Sequence, residues 1–271
     1  MSASRITLDG RPATADDLAR MAMVNYGAYT SFRVEGGAVR GLSLHLERLE
    51  HSALELFGES PGPALLHRRI VEAVTGRDQA WVRISLHAPQ ISHRHVTYRG
   101  APQIMVAVFD PPPALSPATG TGFRLFPLTY ERERPHLKHL ATFGLIAARR
   151  EAQARGFDDA LFLTREGQIS EGTLWNIGFV RGDTVIWPEA PMLDGVTRRL
   201  IHQGLAGAGL GATSAAVRLE GLGAFDHAFL CNAATPCAPI AAIGDHAFAR
   251  DDAVTERIVA AFAHQPPEPL G

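Results

Sequence analysis

Three observations predict an α+β protein with two domains. Helical and strand patterns mix with hairpins instead of alternating strictly, which favours α+β over a parallel, doubly wound sheet. The chain has 271 residues, which suits two modest domains, and 46% of them are hydrophobic, enough to build cores. A stretch rich in Pro, Gly, Ser and Thr at 113–122 predicts a linker between a domain at 1–112 and a domain at 123–271.

The first domain begins with a hairpin pattern and continues with two helices and two strands. Ser43 is predicted to cap a helix that ends at Gly58, and Pro63 is predicted to start the next helix. The runs with strand character and their turn signals predict strands at 26–34, 38–42, 81–88 and 103–110.

The second domain repeats this mixed order. Strands are predicted at 123–130, 159–164, 168–180, 184–188, 228–233 and 239–244. Helices are predicted at 139–155, 195–210 and 251–265. The last residues, QPPEPLG, are predicted to be loose because terminal Pro-rich segments have little to pack against.

Composition excludes several classes of protein. The formal net charge of −2 argues against a nucleic-acid binder, which usually carries a basic excess. No basic segment precedes an apolar run, and no apolar run approaches the roughly 20 residues that span a bilayer. Cys231 and Cys237 do not form a CxxC motif or a disulfide framework. We therefore expect a cytoplasmic protein that acts on small molecules.

Lys138 is the only lysine in the chain, and every other side-chain cation apart from histidine is arginine. Arginine can replace lysine as a surface charge, but its guanidinium stays protonated and is a poor nucleophile. A lysine can lose its proton and condense with an aldehyde. Lys138 is therefore a candidate Schiff-base residue, and the alternative is a surface lysine left over in an arginine-rich composition.

Two further segments carry chemistry in a defined order after Lys138. Glu171 lies in an otherwise apolar strand, where a carboxylate needs a cationic partner, and a pyridinium nitrogen would serve. The segment 195–197, Gly-Val-Thr at a helix start, offers backbone N–H groups and a hydroxyl to a phosphate. An amine, a buried carboxylate and a phosphate seat are the parts that hold pyridoxal 5'-phosphate. Taken singly, Glu171 could be a turn residue and 195–197 an ordinary helix start.

The segments SEGTLWNIGFV and LDGVTRRL together resemble the signature of the fold-type IV pyridoxal-phosphate enzymes. The resemblance extends from about residue 26 to about residue 245. This family includes branched-chain, D-amino-acid and R-selective amine aminotransferases and aminodeoxychorismate lyase. The resemblance implies a small N-terminal α/β domain, a larger C-terminal domain with a mixed, barrel-like sheet, and a homodimer.

The resemblance also implies roles for residues. Lys138 would form the aldimine and transfer a proton, and Glu171 would keep the pyridine nitrogen protonated. The residues implied to hold the cofactor phosphate are Arg48, Val196, Thr197 and Ala233, with Thr235 as the alternative to Ala233. Residues implied to line the substrate pocket are Tyr26, Tyr29 and Arg33. Arg83 could receive a substrate carboxylate or could be an outward-facing strand cation.

The resemblance leaves the reaction open. The leading hypothesis is a transaminase that exchanges an amino group between an amino acid or amine and a 2-oxo acid. HLKHL and CNA look more like the aminodeoxychorismate lyase branch, which releases pyruvate, whereas TFG and GTLWNIGF look less like it. Phe143 stands where many family aminotransferases carry a tyrosine. A cofactor-free homologue without activity and a Schiff-base aldolase are two further hypotheses. No metal is expected, because His93 and His95 lack a carboxylate or cysteine beside them.

Overall fold

The computed structural model describes residues 5–112 and 122–271, and these form two compact units. The first unit contains 5–112 together with Leu137–Ala141 and Pro267–Gly271. The second unit contains 122–136 and Thr142–Pro266. The predicted linker at 113–122 lies outside the described residues except for its last position.

The described chain contains six α-helices and sixteen strands. The helices are α1 Ala15–Met23, α2 Leu42–Phe57, α3 Pro63–Val74, α4 Phe143–Ala154, α5 Val196–Gly204 and α6 Asp252–Ala263. The strands of the first half are β1 Arg5–Leu8, β2 Arg11–Pro12, β3 Gly27–Glu35, β4 Ala38–Val39, β5 Gln79–His87 and β6 Gln103–Phe109. The remaining strands are β7 Phe123–Thr129, β8 Asp159–Leu163, β9 Ile169–Gly172, β10 Asn176–Arg181, β11 Thr184–Pro188, β12 Gly211–Ala215, β13 His227–Cys231, β14 Ala238–Ile243, β15 His246–Ala247 and β16 Glu268–Pro269.

The first unit is an antiparallel sheet covered on one face by helices. Its strand order is β16-β4-β3-β5-β6-β1-β2, and each neighbouring pair runs antiparallel. Side chains alternate between the two faces of each strand. Phe32, Val82, Ile84 and Val106 therefore join the apolar faces of α2 and α3 in one core. Tyr29 and Arg83 lie on the other face.

The second unit is built on a mixed sheet that closes on itself. The strand order runs β10-β13-β14-β7-β8-β9, and β9 pairs again with β10. Six strands therefore form a closed, barrel-like ring, as the family resemblance implied. The pairs β14–β7 and β7–β8 are parallel, which makes the ring mixed. Strands β11 and β12 extend the sheet beyond β10.

Two predictions, one about the start of α2 and one about the C-terminal tail, are wrong. Ser43 does not cap α2, because the helix starts at Leu42 behind Gly41, whose φ of 70° is left-handed. The backbone N–H of Ser43 instead donates to Glu268 Oε2 at 3.0 Å. The C-terminal residues are therefore not loose: β16 pairs with β4, and Leu270 is buried.

Other predicted boundaries differ from the observed ones. The helix predicted from 139 begins at Phe143, since residues 138–140 pair with β3. The strand predicted at 168–180 is two strands, β9 and β10, and the helix predicted at 195–210 ends at Gly204. Elements β1, β2, α1 and β12 were not predicted. Among the described helices, none is long and apolar enough to cross a bilayer.

Candidate active site

Lys138 is fixed to the edge of the first sheet by backbone pairing. The N–H of Tyr29 donates to the Lys138 carbonyl at 2.9 Å, and the N–H of Leu140 donates to the Gly27 carbonyl at 2.9 Å. Gly27 permits this approach, since a Cβ there would lie 2.3 Å from the Leu86 carbonyl oxygen and 2.8 Å from Leu140 Cδ1. Residues 138–140 therefore act as a short extra strand that holds the lysine beside β3.

The side chains around Lys138 form a cationic cluster on Tyr29. Lys138 Nζ lies 4.9 Å and Arg83 Cζ 3.7 Å from the centroid of the Tyr29 ring. Burial raises the pKa of Tyr29, but the charges of Lys138, Arg83 and Arg48 and a hydrogen bond with Lys138 outweigh it, so its pKa falls below the usual value. The cluster therefore stabilises negative charge.

Arg48 is oriented by two neutral side chains. Its Nη2 donates to Thr30 Oγ1, and Thr30 Oγ1 lies 2.6 Å from His45 Nδ1. His45 and Arg48 are three residues apart on α2 and so share a face of the helix. Burial, with Arg48 and Lys138 nearby, holds the pKa of His45 well below its usual value. The Nδ1 of a neutral His45 can accept a hydrogen bond from the Thr30 hydroxyl. The Thr30 oxygen can then accept a hydrogen bond from Arg48.

In the second unit, Glu171 forms a buried ion pair that the sequence did not predict. Its Oε1 accepts from Arg132 Nε at 2.7 Å, and both side chains are less than a tenth exposed. Its Oε2 accepts from the Leu193 N–H at 3.2 Å. Glu171 was correctly expected to need a cation, but its partner here is Arg132.

Asn176 connects Glu171 to the start of α5. It lies opposite Glu171 in the β9–β10 pair, and its Nδ2 donates to the Leu193 carbonyl at 2.7 Å. A Cβ on Gly195 would lie 2.1 Å from Asn176 Oδ1, so only glycine fits there. Among residues 5–112 and 122–271, no side chain caps α5 at Gly195, so the N–H groups of its first turn can donate to an outside acceptor.

Thr235 offers a hydroxyl where Ala233 has none. Thr235 is 6% exposed, and its Oγ1 has no hydrogen-bond partner among the described residues. The turn that carries it is held by Asn232, whose Oδ1 accepts from the N–H groups of Ala234 and Thr235, each at 2.9 Å. Ala233 and Thr235 were the two positions predicted to contact the cofactor phosphate. Of these, Thr235 has a side-chain hydroxyl that can donate a hydrogen bond.

The remaining predicted site residues differ in exposure and contacts. Tyr26 is 43% exposed and donates to the Leu56 carbonyl at 3.3 Å. Arg33 donates to the Pro112 carbonyl at 3.0 Å. Phe143, at the start of α4, is 83% exposed. Val196 and Thr197 are both buried in the first turn of α5.

A protein-family model described as amino-transferase class IV matches residues 27–243. The chain is a class IV aminotransferase. The match includes both clusters of candidate residues, from Tyr29 in the first unit to Thr235 in the second. The enzymes of this family use pyridoxal 5'-phosphate as their cofactor.

Individual relatives are similar over most of the chain. A probable branched-chain-amino-acid aminotransferase of Rickettsia bellii is 29% identical over 199 residues, which are 69% of this chain and 68% of the relative. The branched-chain aminotransferase of Thermoproteus uzoniensis, solved with norvaline, is 25% identical with a TM-score of 0.81, covering 96% of this chain and 94% of that one. A hypothetical aminotransferase from Mycobacterium tuberculosis, solved in its PLP-bound form, shares the fold, with a TM-score of 0.77 and 18% identity, covering 96% of this chain and 99% of that one.

The residues of this aminotransferase fit the cofactor. A phosphate can be accepted by the uncapped start of α5 and by the buried, unpartnered Thr235 hydroxyl. In the second unit, Glu171 supplies a buried carboxylate of the kind that accepts a hydrogen bond from a protonated ring nitrogen. In the first unit, Lys138 supplies a primary amine.

Three supporting residues were missed by sequence reasoning. Arg132 lies 39 residues before Glu171, and no local pattern connects them. Asn176 and Glu171 are separated by a turn, but the sequence pattern predicted one continuous strand over this segment. His45 could have been found, because it precedes Arg48 by three positions on a predicted helix.

Proposed function

We propose that this aminotransferase exchanges an amino group between an amino acid or amine and a 2-oxo acid. The observation that carries the proposal is the placement of Lys138. The only primary-amine side chain of the protein is fixed by backbone pairing beside a buried, polarised tyrosine and an arginine. A surface lysine without a role would not need such anchoring. When bound, pyridoxal phosphate supplies an aldehyde that condenses with amines and a ring that accepts electrons.

Lys138 has two tasks in this proposal. Its amine would bind the cofactor covalently, and once released it would carry a proton between the substrate carbon and the cofactor. The pairing with Tyr29 and Gly27 limits where the amine can move, so it stays within reach of both positions.

Glu171 would accept a hydrogen bond from the ring nitrogen and favour its protonated form. Arg132 holds the Glu171 carboxylate in place through the ion pair at 2.7 Å. The Leu193 N–H fixes the other oxygen. The carboxylate therefore needs little reorganisation when the ring binds.

The phosphate would be held by Arg48, the first turn of α5 with Val196 and Thr197, and Thr235. The family resemblance supports the assignment of Arg48, and the start of α5 and the buried Thr235 hydroxyl support their own assignments within the second unit. Tyr29 and Arg83 would face the substrate, and Arg83 would receive a carboxylate.

Absorption spectroscopy tests the proposed exchange. The purified protein is loaded with pyridoxal phosphate and mixed with L-amino acids, D-amino acids or simple amines. A transaminase converts the bound aldehyde form to the amine form and releases a 2-oxo acid, and a 2-oxo acid reverses the change. A dedicated lyase would release pyruvate from aminodeoxychorismate without accumulating the amine form. A protein that never acquires the aldehyde band would contradict the proposal.

A homodimer and a cytoplasmic location belong to the same proposal. Both rest on family resemblance and composition. Light scattering of the purified holoenzyme tests the dimer: twice the chain mass of 29.2 kDa is expected, and the mass of a monomer would contradict it.

A further inference from the structure

Glu171 lies at an irregularity in the strand that carries it. The pairs that flank it are Leu161 with Gly172 and Leu163 with Ile169, so a single residue of β8 faces two residues of β9, one of which is Glu171. This arrangement is a β-bulge, and a bulge breaks the regular alternation of side chains between the two faces of a sheet. The direction of the Glu171 side chain is therefore not set by the pairing with β8 alone.

The pairing on the other side of Glu171 is also sparse. Among the described residues, β9 and β10 meet in a single pair, Glu171 opposite Asn176. The loop that joins these strands, 172–175, is closed by a hydrogen bond from the Gly172 N–H to the Trp175 carbonyl at 2.9 Å. The position of the Glu171 carboxylate therefore depends on what else holds this short loop.

Asp159 holds the loop through both of its carboxylate oxygens. Its Oδ1 accepts from Thr173 Oγ1 at 2.6 Å, and its Oδ2 accepts from Trp175 Nε1 at 3.1 Å. Asp159 is the first residue of β8, whose backbone pairs with β7 in the closed ring. The carboxylate thus connects the loop after Glu171 to a strand of the ring through two side-chain hydrogen bonds.

These contacts are buried and leave the loop little freedom. Asp159 is 0%, Trp175 is 2% and Thr173 is 4% exposed. The Trp175 ring packs against Phe123, with the ring centroids 5.4 Å apart. Arg149 Nε lies 3.8 Å from Asp159 Oδ2, beyond hydrogen-bond distance but close enough to offset its charge. Burial raises the pKa of Asp159, and its hydrogen bonds and the charge of Arg149 partly counteract this rise.

We propose that Asp159 is a positioning residue for transamination, which fixes the loop 172–175 and thereby the direction of the Glu171 carboxylate. Asp159 contacts neither substrate nor cofactor in this role. The inference rests on the proposed interaction of Glu171 with the cofactor ring nitrogen and adds the group that keeps the carboxylate in place. A hydrogen bond weakens steeply when its length or angle departs from the optimum, so a shifted loop weakens the interaction although the carboxylate is still present.

Asp159→Asn tests the proposal with the smallest change of shape. In the native protein, Oδ1 accepts from Thr173 and also from the Ala160 backbone N–H at 2.8 Å, whereas Oδ2 accepts from Trp175. An asparagine amide has one acceptor oxygen and one donor nitrogen, so in either orientation its nitrogen meets at least one of these donors. The variant therefore keeps the size of the side chain and releases one side of the loop.

The absorbance of the bound cofactor gives a readout that depends on the ring and not on stability. A protonated ring nitrogen lowers the pKa of the cofactor's imine nitrogen, because two nearby positive charges repel each other. Glu171→Gln should therefore raise the pH midpoint of the absorbance change by about 1 unit or more, and Asp159→Asn should raise it by about 0.5 unit. Asp159→Asn should also lower kcat by about tenfold, the loss expected for one weakened hydrogen bond to a charged group.

A double-mutant cycle separates positioning from a purely structural role. In a Glu171→Gln background the carboxylate to be positioned is gone, so Asp159→Asn should change kcat by less than about twofold and should not move the midpoint further. Its effect on the urea midpoint of unfolding should be the same in both backgrounds. Full effects on kcat and on the absorbance midpoint in the Glu171→Gln background would show that Asp159 acts independently of Glu171, and this result would overturn the proposal.

Loop variants provide a second route if Asp159→Asn does not fold. Thr173→Val and Trp175→Phe each remove one donor and keep most of the shape, and each should change kcat and the absorbance midpoint in the same direction as Asp159→Asn. Thr173→Ser keeps the hydroxyl and should behave like the wild-type protein. Thr164→Val is the matched control, because Thr164 is 3% exposed and its Oγ1 accepts from the Gln168 N–H in the turn between β8 and β9. It should lower stability without moving the absorbance midpoint.

The outcomes also separate this inference from the role of Glu171 on which it rests. If Glu171→Gln slows turnover and raises the absorbance midpoint, whereas Asp159→Asn and both loop variants change stability alone, the positioning role of Asp159 is wrong and the role of Glu171 stands. If Glu171→Gln leaves both readouts unchanged, the role proposed for Glu171 is wrong, and the positioning role of Asp159 is wrong with it.

Discussion

The two clusters of this aminotransferase handle charge in opposite ways. In the first unit, Lys138, Arg83 and Arg48 gather around Tyr29, and the side chains that orient Arg48 are neutral. In the second unit, the carboxylate of Glu171 is already balanced by Arg132 at 2.7 Å. The first cluster therefore provides electrostatic attraction for anions. The second provides fixed hydrogen bonds whose strength depends on geometry.

Because of this contrast, we expect substitutions in the two clusters to have different effects on function and on stability. Removing a cation from the first should weaken function with less loss of fold, because the cluster holds several cations and losing one reduces their mutual repulsion. Removing either partner of the buried pair in the second leaves an unbalanced charge and should damage the fold as well. Substitutions in each cluster test this difference, and those at Lys138 should have the largest effect.

Replacing Lys138 should abolish transamination. Lys138→Ala and Lys138→Arg should each lower kcat by at least about 10³-fold, because neither side chain is a usable nucleophile or base. Lys138→Arg keeps the positive charge of the cluster and should retain cofactor affinity better than Lys138→Ala. Steady-state rates and a fluorescence titration of the cofactor measure the two effects. An active Lys138→Arg enzyme would show that the cluster needs only a charge.

Glu171→Gln should lower both activity and stability. Loss of the carboxylate leaves Arg132 charged and buried, which should lower the free energy of unfolding by about 3–5 kcal/mol. It should also slow proton removal from the substrate by roughly 10²-fold or more, since the ring nitrogen loses its stabilising charge. Urea unfolding and stopped-flow absorbance measure these effects.

The double variant Glu171→Gln with Arg132→Met separates the two losses. It removes both charges, so it should regain much of the stability while activity stays low. Recovery of the activity together with the stability would mean that Glu171 serves only the fold.

Thr235→Val should weaken cofactor binding without unfolding the protein. The hydroxyl is buried and has no hydrogen-bond partner in the described part of the chain, so its loss should remove only the proposed contact with the bound phosphate. A hydrogen bond to a charged group corresponds to about a tenfold change in affinity. Thr213→Val, at an exposed position on β12, is the control. Unchanged cofactor affinity in Thr235→Val would remove Thr235 from the site.

His45→Gln should alter the pH dependence of stability. The pKa of buried His45 lies well below that of the unfolded chain, so the unfolded chain binds more protons as the pH falls below about 6.5. The wild-type protein therefore loses stability between about pH 7.5 and about pH 5.5 through this group, and the variant should lose less. Urea unfolding at the two pH values measures the difference.

His51→Gln, on the exposed side of the same helix, should behave like the wild-type protein. His45→Gln should also reduce cofactor affinity by a few-fold, because Thr30 loses the acceptor that orients it toward Arg48. An identical loss of stability on acidification in the wild-type protein and in His45→Gln would contradict a neutral, buried imidazole.

The sequence predicted the elements better than their ends. Strand alternation and helix periodicity identified β3, β5, β6, β7 and the helices α2 and α3, because these patterns depend on local burial. The predictions for the start of α4 and for the C-terminal tail were wrong because both segments pair with strands distant in sequence. Residues 138–140 and Glu268–Pro269 pair with strands that lie far away in the chain, at β3 and β4.

Candidate site residues could be selected from the sequence where a residue type is rare in the chain or unusual in its segment. A single lysine and a glutamate in an apolar strand stand out in any composition. Arg132 did not, because one arginine among many gives no sign that it reaches a carboxylate 39 positions later. The contacts of Asp159 were hidden for a related reason, since only the fold shows that its carboxylate meets the loop that follows Glu171.

Borohydride reduction of the holoenzyme, followed by peptide mass spectrometry, tests the central claim most directly. Reduction makes the bond between an amine and the cofactor permanent. The account predicts one phosphopyridoxyl adduct per chain, on the peptide that contains Lys138, and none in Lys138→Ala. A wild-type protein that holds the cofactor but yields no adduct at Lys138, or a variant that still forms a stable adduct, would contradict it.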